Sequence, residues 1–388
     1  MNVGKIIFAQ LLDHLPRYEF NKCVGRYKGN YKVSRFSCWD QLLCLTFAQL
    51  TYRESLRDIE TSLNSHRQKL YHIGFRGLIS RSTVADANEQ RDYRIYQDFG
   101  YLLIDIARRL YQDEDLGLDL KQTVYALDST TIDLCLSTFP WAQYKRTKSA
   151  IKMHTQLNLR GAIPHFIGLT SGNVNDCRMM DELEWESDSI TSMDRGYTDF
   201  ARLYQIHLSS AFFVIKAKKN LRINRIRSNP VDKTTGVQAD QVVVLANDKS
   251  YLHYPENLRR VRFFNKEEDK RVLLLTNHFG IDAKTVADIY KSRWKVELFF
   301  KWIKQHLKIK TFYGTSPNAV KTQIWTALTM YLLVAIVKKR LAIPGDLHTF
   351  LQILEVNLFE KRPILQVFQD ATKQDPAGQY HNQLQLLE

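Results

Sequence analysis

The chain changes hydrophobic periodicity near Gln122, and that change fixes what it can fold into. Up to about residue 115 apolar residues recur at three- and four-residue spacing, as in QLLCLTFAQL (41–50) and SLRDIETSL (55–63), the mark of amphipathic helices. After Gln122 come short runs rich in β-branched and aromatic residues: TVYALDSTTIDL (123–134), KMHTQLNL (152–159), PHFIGLTSG (164–172), SITSMD (189–194) and AFFVIKAK (211–218). ARLYQIHL (201–208) has helical spacing and separates the last two. This order predicts an α/β core in which two hairpin-joined strands follow the first, with Arg160-Gly161 as the turn, and helix-linked strands come after.

Further β-like pieces, QVVVLAN (241–247), VRFFN (261–265) and RVLLLTN (271–277), read as an insertion into that core. A long helix is expected from near Asp282, then an apolar helix from about Pro317 to Lys339, and a polar tail after about residue 370. The predicted organisation is a helical N-terminal domain (1–115), an α/β core (116–218 and 278–340), a β-rich insertion (219–277) and a C-terminal helical segment with a tail (341–388).

Within YKSRWKVELFFKWIK (290–304), Tyr290, Arg293, Glu297 and Lys304 share one helix face. At 100° per residue, taking Glu297 as zero, Tyr290 lies at about +20°, Lys304 at about −20° and Arg293 at about −40°. A single charge in such a stripe reads as a solvated face. An acid between two cations and a phenol suits a phosphate-bearing substrate: the acid for a metal, the cations for phosphate, the ring for stacking or a hydrogen bond.

Asp128 closes the apolar run VYAL and Asp194 closes SITSM, each on its own core strand. Strand-end acids in open α/β sheets often face a site. If the two strands are neighbours and the 290-series helix crosses their ends, Asp128, Asp194 and Glu297 converge, and carboxylates so placed repel unless cations bind. Two Mg²⁺ ions would meet that need and serve hydrolysis or transesterification of a phosphodiester. Asp133 belongs to the opposite strand face, Asp176 reads as a turn residue or a supporting group, and His154 as a core residue.

The formal charge is +14, from 55 Lys and Arg against 41 Asp and Glu, and the excess is clustered. Residues 216–227 (KAKKNLRINRIR) hold six cations and no acid, and 291–310 hold seven against Glu297 alone. Both runs could track a polyanion, which makes Lys218, Lys219, Arg222, Arg225 and Lys301 candidate phosphate contacts. In 79–99, Ser82 and Thr83 are candidate helix caps and Arg81, Asn88, Gln90, Arg91 and Arg94 sit near a helix start. The segment reads as a DNA-recognition helix, with Arg81 and Arg91 as contacts, or as a polar surface helix. GRYKGNYKVSRF (25–36), which interleaves aromatics with cations, fits a nucleic-acid contact or a basic loop. No uninterrupted apolar stretch approaches about 20 residues, so a cytoplasmic protein without a membrane partner is expected. The five cysteines form no CxxC pair and read as reduced thiols.

The set Y-x2-R-x3-E-x6-K, here Tyr290, Arg293, Glu297 and Lys304, together with ALDSTTI and MDRGY, resembles the signature of bacterial insertion-sequence DDE transposases of the cut-and-paste hairpin pathway. Asp194 follows Asp128 by 66 residues and Glu297 follows Asp194 by 103, room enough for the insertion. The resemblance spans essentially the whole chain and implies a ribonuclease H-like core. It implies that Asp128, Asp194 and Glu297 form the metal-binding catalytic triad with two Mg²⁺ ions (Mn²⁺ substituting), and that Arg293 and Lys304 grip phosphate while Tyr290 supports the same strand. It further implies that a strand is nicked, that the freed 3′-hydroxyl forms a hairpin, and that a homodimer pairs two terminal repeats before joining them to target DNA. A Trp in the insertion can stack on a flipped base in such enzymes. No Trp lies between Trp185 and Trp294, which leaves Tyr251, Tyr254, Phe263 or Phe264 for that role. A non-catalytic end-binding repressor and a simple metal-dependent nuclease are the rival readings.

Overall fold

The computed structural model describes residues 4–75, 77–218, 220–265, 269–307, 309 and 311–372. The chain forms two compact units, one of residues up to Gly100 with those from Thr322 on, the other Tyr101–Lys321.

The first unit is helical: α1 (Ile7–Leu12), α2 (Arg17–Arg26), α3 (Cys38–Leu50), α4 (Leu56–Ser65), α5 (Arg67–Ile73), α6 (Arg81–Gln90) and the start of α7 (Arg94–Tyr111). Nearly every side chain of α3 is buried, and the helix is started by a capping box in which the Ser37 hydroxyl accepts from the Asp40 N–H (3.2 Å) and Asp40 accepts from the Ser37 N–H (2.7 Å). The two ends of the chain meet here, because the N–H groups of Ile7 and Phe8 donate to the carbonyls of Glu360 (3.0 Å) and Leu358 (2.9 Å).

In the second unit all the strands join one ten-stranded sheet. β1 (Val124–Leu134) pairs antiparallel with β3 (Lys148–Asn158), which also carries β4 (Ile163–Ser171) and the short β2 (Gln143–Lys145). On its other side β1 runs parallel to β5 (Ile190–Met193), and β5 parallel to β6 (Phe212–Lys216) across α8 (Phe200–Leu208). Three antiparallel strands followed by two parallel ones, in the order β4-β3-β1-β5-β6, is the ribonuclease H-like arrangement expected from the sequence. The β3–β4 hairpin turns through left-handed Gly161 (φ 68°) and Ala162 (φ 54°). A Cβ at Gly161 would lie 2.2 Å from the Tyr111 ring, so glycine is required there on two counts.

The insertion does not form a separate sheet. β7 (Ile223–Asn229), β8 (Val237–Leu245), β9 (Leu258–Asn265) and β10 (Lys270–Thr276), with α9 (Asp248–His253), extend the core in the order β6-β10-β9-β8-β7. β7 had no counterpart among the expected strands. It is the exposed outer edge, and INRIRSN carries cations where a half-buried strand would carry apolar residues.

The long helix expected from Asp282 is two: α10 (Ala283–Ser292), capped by the Asp282 side chain on the Thr285 N–H (2.8 Å), and α11 (Trp294–His306). They meet at Arg293, where the N–H groups of Arg293 and Val296 reach back only three residues (3.2 and 3.0 Å). α12 (Pro317–Arg340), α13 (Leu347–Asn357) and α14 (Ile364–Thr372) follow. By length and composition α12 could cross a membrane, but its apolar window is 94% buried within the protein.

Candidate active site

Asp128 sits midway along β1 and Asp194 directly follows β5. The parallel register pairs Leu127 with Met193, which sets the two aspartates side by side on neighbouring strands. α11 packs across β1 and places Glu297 in its first turn, where the helix dipole favours an acid. Asp128 and Asp194 thus stand on neighbouring strands, and Glu297 reaches the same region from α11.

Arg293 stands between two of them. Its Nη1 donates to Asp128 Oδ2 (2.8 Å) and its Nη2 to Glu297 Oε1 (2.6 Å), with the arginine side chain only 13% exposed. The Ser129 N–H donates to Asp128 Oδ1 (2.8 Å). Burial pushes the Asp128 carboxyl above its ordinary pKa; Arg293 and the Ser129 N–H pull it back, while the charges of Glu297 and Asp194 add to the rise. Burial works against the Arg293 charge, yet Asp128 and Glu297 hold its pKa above the ordinary value.

Asp176 supports this centre from behind. Its Oδ1 accepts from the Ser129 hydroxyl (2.8 Å) and from Lys152 Nζ (3.0 Å), so the residue beside Asp128 is tied to a partly buried, charge-balanced group. His154 is fully buried with Nε2 2.8 Å from the Thr170 hydroxyl, and burial lowers its pKa to about 4. It is thus neutral, and its 3.7 Å approach to Asp176 is not an ion pair.

A cleft of about 470 Å³ opens beside the acids, lined by Asp194, Lys216, Tyr290, Lys291, Trp294 and Glu297. Trp294 is 58% exposed and Lys216 lies level with Asp194, since Ile215 pairs with Met193. Sequence reasoning passed over both. Trp294, three residues before Glu297, falls at about 60° on the same helical wheel, and that spacing would have found it.

Tyr290 and Lys304 are partly buried on the stripe and Lys301 is exposed. Exposed Lys218 donates to the Thr198 carbonyl (3.3 Å), and Arg222 and Arg225 lie exposed at and beside β7. Lys219 falls outside the described residues. In the helical unit Arg81 is exposed at the start of α6, whose N-cap is Ser80 and not Ser82 or Thr83. Arg91 is not available as a DNA contact: it is buried under the Phe36 ring and donates to the carbonyls of Phe36 and Ser37 and to Gln41 Oε1. Tyr254 and Phe263 are likewise buried in the core, so neither can stack on a base; Tyr251 is exposed and Phe264 partly so.

Among the described residues no three metal-ligating side chains stand grouped around a common point, and the guanidinium of Arg293 lies between Asp128 and Glu297. The donor chemistry nevertheless fits a divalent metal. The carboxylates of Asp128, Asp194 and Glu297 offer hard oxygens, and the charges of Glu297 and Asp194 act against that of Asp128, a repulsion that a bound cation relieves.

A ribonuclease H-like sheet with acids on neighbouring strands beside a cation-lined cleft is the setting of an enzyme that acts on the phosphodiester bonds of nucleic acid. Residues 119–333 match the Transposase DDE domain family, and residues 3–76 match a domain family of unknown function, DUF4372. A transposase of Sinorhizobium fredii is 30% identical over 72% of this chain and 78% of its own length. The transposase of insertion sequence element IS5377 from Geobacillus stearothermophilus is 28% identical over 65% of this chain and 66% of its own. Among solved structures, a piggyBac transposase in a synaptic complex with hairpin DNA aligns with a TM-score of 0.46 and 10% identity over 95% of this chain and 82% of that one. The chain belongs to the bacterial insertion-sequence DDE transposases, DNA-cleaving and strand-transferring enzymes that use divalent metal ions.

Proposed function

We propose that Asp128, Asp194 and Glu297 are the catalytic triad and hold two Mg²⁺ ions, with Mn²⁺ able to substitute, at the ends of an insertion sequence in the bacterial cytoplasm. The side-by-side register of Asp128 and Asp194, with Glu297 joined to Asp128 through one guanidinium, carries this reading. Divalent ions held by the three acids would supply Lewis acidity to the attacking and leaving oxygens.

The chain's own residues do the rest. Arg293, once released from its carboxylates, and Lys304 hold the phosphate beside the scissile bond, and Tyr290 supports the same strand. Lys216 and Lys291 line the cleft and meet the backbone leading to it. Trp294, exposed at the cleft wall, takes the stacking role for a base drawn out of the duplex during the hairpin step. Lys301, Lys218, Arg222 and Arg225 add backbone contacts farther out.

The helical segment 1–115 binds the terminal repeats through α6, with Arg81, and through the 25–36 loop, where Lys28, Tyr31, Lys32 and Arg35 are all exposed. Residues 116–218 and 278–340 form the catalytic core, 219–277 the insertion and 341–388 the C-terminal segment. Two ends must be paired before joining, so a homodimer is the working form.

The test is excision of a marked cassette flanked by the gene's native bordering DNA, with nicking and mobility-shift assays on the same flanks. Asp128→Ala, Asp194→Ala and Glu297→Ala are each expected to abolish nicking and excision while retaining binding. Loss of binding with normal nicking per bound complex would refute these roles.

A further inference from the structure

The inner face of the insertion sheet is covered by α10: Phe263 and Val272 line the active-site cleft, and Lys291 Nζ lies 6.0 Å from the centre of the Phe263 ring. Side chains alternate along a strand, so Arg260, Arg262 and Phe264 of β9 point to the other face. The β9–β10 register pairs Arg271 with Phe264 and so adds Arg271 to that face. From the outer edge Arg225 approaches closely enough that it and Arg262 both depress the Arg260 pKa, after burial, which is the larger cause.

Four guanidinium groups from three strands thus share one surface. Arg225, Arg262 and Arg271 are exposed and Arg260 is partly buried against Gln241, with its Nε lacking a hydrogen-bond partner. Among the described residues no carboxylate lies within ion-pair distance of any of them. Asp240, on the neighbouring β8, is turned to the opposite face and engaged by Arg259 (2.9 Å). A fold gains no stability from clustering like charges without counter-charge. Such a surface suits an extended anion, and cations two residues apart on a strand, about 7 Å, with others on adjacent strands, present a grid rather than a pocket for one small ion.

We propose that this face of the insertion sheet is a second DNA-binding surface, one that holds the phosphate backbone of duplex lying outside the active-site cleft. The proposal rests on the reading of the protein as a DNA transposase. Because Arg225, Arg260, Arg262 and Arg271 sit on the face opposite α10, the duplex they hold is not the strand end being cut beside Glu297. The contacts are to backbone, so they carry no base sequence.

The experiment uses the full-length protein in EDTA with a fluorescent random-sequence duplex, following affinity against salt. Arg225→Gln/Arg262→Gln/Arg271→Gln leaves the partly buried Arg260 in place. The control, Lys5→Gln/Lys22→Gln/Arg362→Gln, removes the same charge from exposed cations that already face acids. The arginine variant is expected to lower the slope of log affinity against log salt by about 2 to 3, at about 0.9 for each phosphate left without its cation, and the control by less than about 1. Equal slopes in the two variants overturn the proposal. Neither measurement needs cleavage, so a failure of the triad roles would leave this result standing on its own. Where wild type nicks a short duplex ending at the scissile bond, Arg262→Gln/Arg271→Gln should match its rate per bound complex; a loss of nicking would place these arginines at the cut end and overturn the separate surface.

Discussion

Arg293 Nη1 lies 2.8 Å from Asp128 Oδ2, and through its other nitrogen the same guanidinium holds Glu297, so one side chain ties the central strand β1 to α11. The arrangement offsets part of the charge of two acids with the residue that is proposed to grip phosphate once ions and DNA arrive.

Arg293→Ala should therefore lower stability in EDTA by about 1.5–3 kcal/mol, the scale for losing hydrogen bonds to a charged group. Added Mg²⁺ or Mn²⁺ should raise the melting temperature of the variant more than that of wild type, because the freed acids bind the ion without first displacing a guanidinium. Equal melting temperatures in EDTA would show that the bridge does not hold β1 to α11.

Asp176 acts on Asp128 through Ser129, which makes it a positioning residue. If Asp128 holds metal as proposed, Asp176→Ala should slow single-turnover nicking by about 10–100-fold, the usual effect of removing such support behind a metal ligand, with DNA affinity unchanged. Asp176→Asn, which can still accept from Ser129, should recover part of the rate. Identical rates for the two variants would argue for a merely structural role.

The pair Arg259–Asp240 is almost fully buried, with side chains 6% and 7% exposed, and Arg259 also reaches the carbonyls of His278 and Ile281 in the approach to α10. Asp240→Ala leaves a buried cation without its partner and should cost about 3–5 kcal/mol in urea unfolding. Breaking the exposed Lys284–Asp288 pair should cost under about 0.5 kcal/mol.

Cys135 is exposed, and hydrogen bonds from the Ser137 and Thr138 region lower its pKa to about 7. The thiolate is present above that pH and lost below it, so iodoacetamide labelling should rise through about pH 7 and stop at one of the five cysteines. Cys38, pushed up to about 11 by burial, and the fully buried Cys44 should stay unlabelled. Peptide mapping across pH 6–9 reads the result, and labelling that first rises above pH 8.5 would contradict it.

Much of the core was legible because its strands announce themselves. β1, β3, β4, β5 and β6 each fall within a residue or a few of the apolar runs, and Asp194 does close β5, while β1 runs on six residues past Asp128. β7 was not, since an edge strand open on both faces has no period-two apolar signal. The break at Arg293 involves neither proline nor glycine; it accompanies the reach of one side chain to two acids, a tertiary effect that no helical wheel contains. Arg91 misled for a related reason. Glu89 and Gln90 just before it are polar and exposed, but Phe36 and Gln41 come from distant sequence to cover it.

The insertion is hydrogen-bonded strand by strand to β6, which itself pairs with the strand leading to Asp194. It cannot swing as a hinged lid without breaking a ladder. From β1 to the outer edge at β7 is six strand spacings, about 29 Å. The sheet is in effect a ruler: its arginine-bearing strands β10, β9 and β7 lie three, four and six spacings from β1, about 14, 19 and 29 Å, so a duplex that engages both the acids and the arginines must do so at separations the protein has already set.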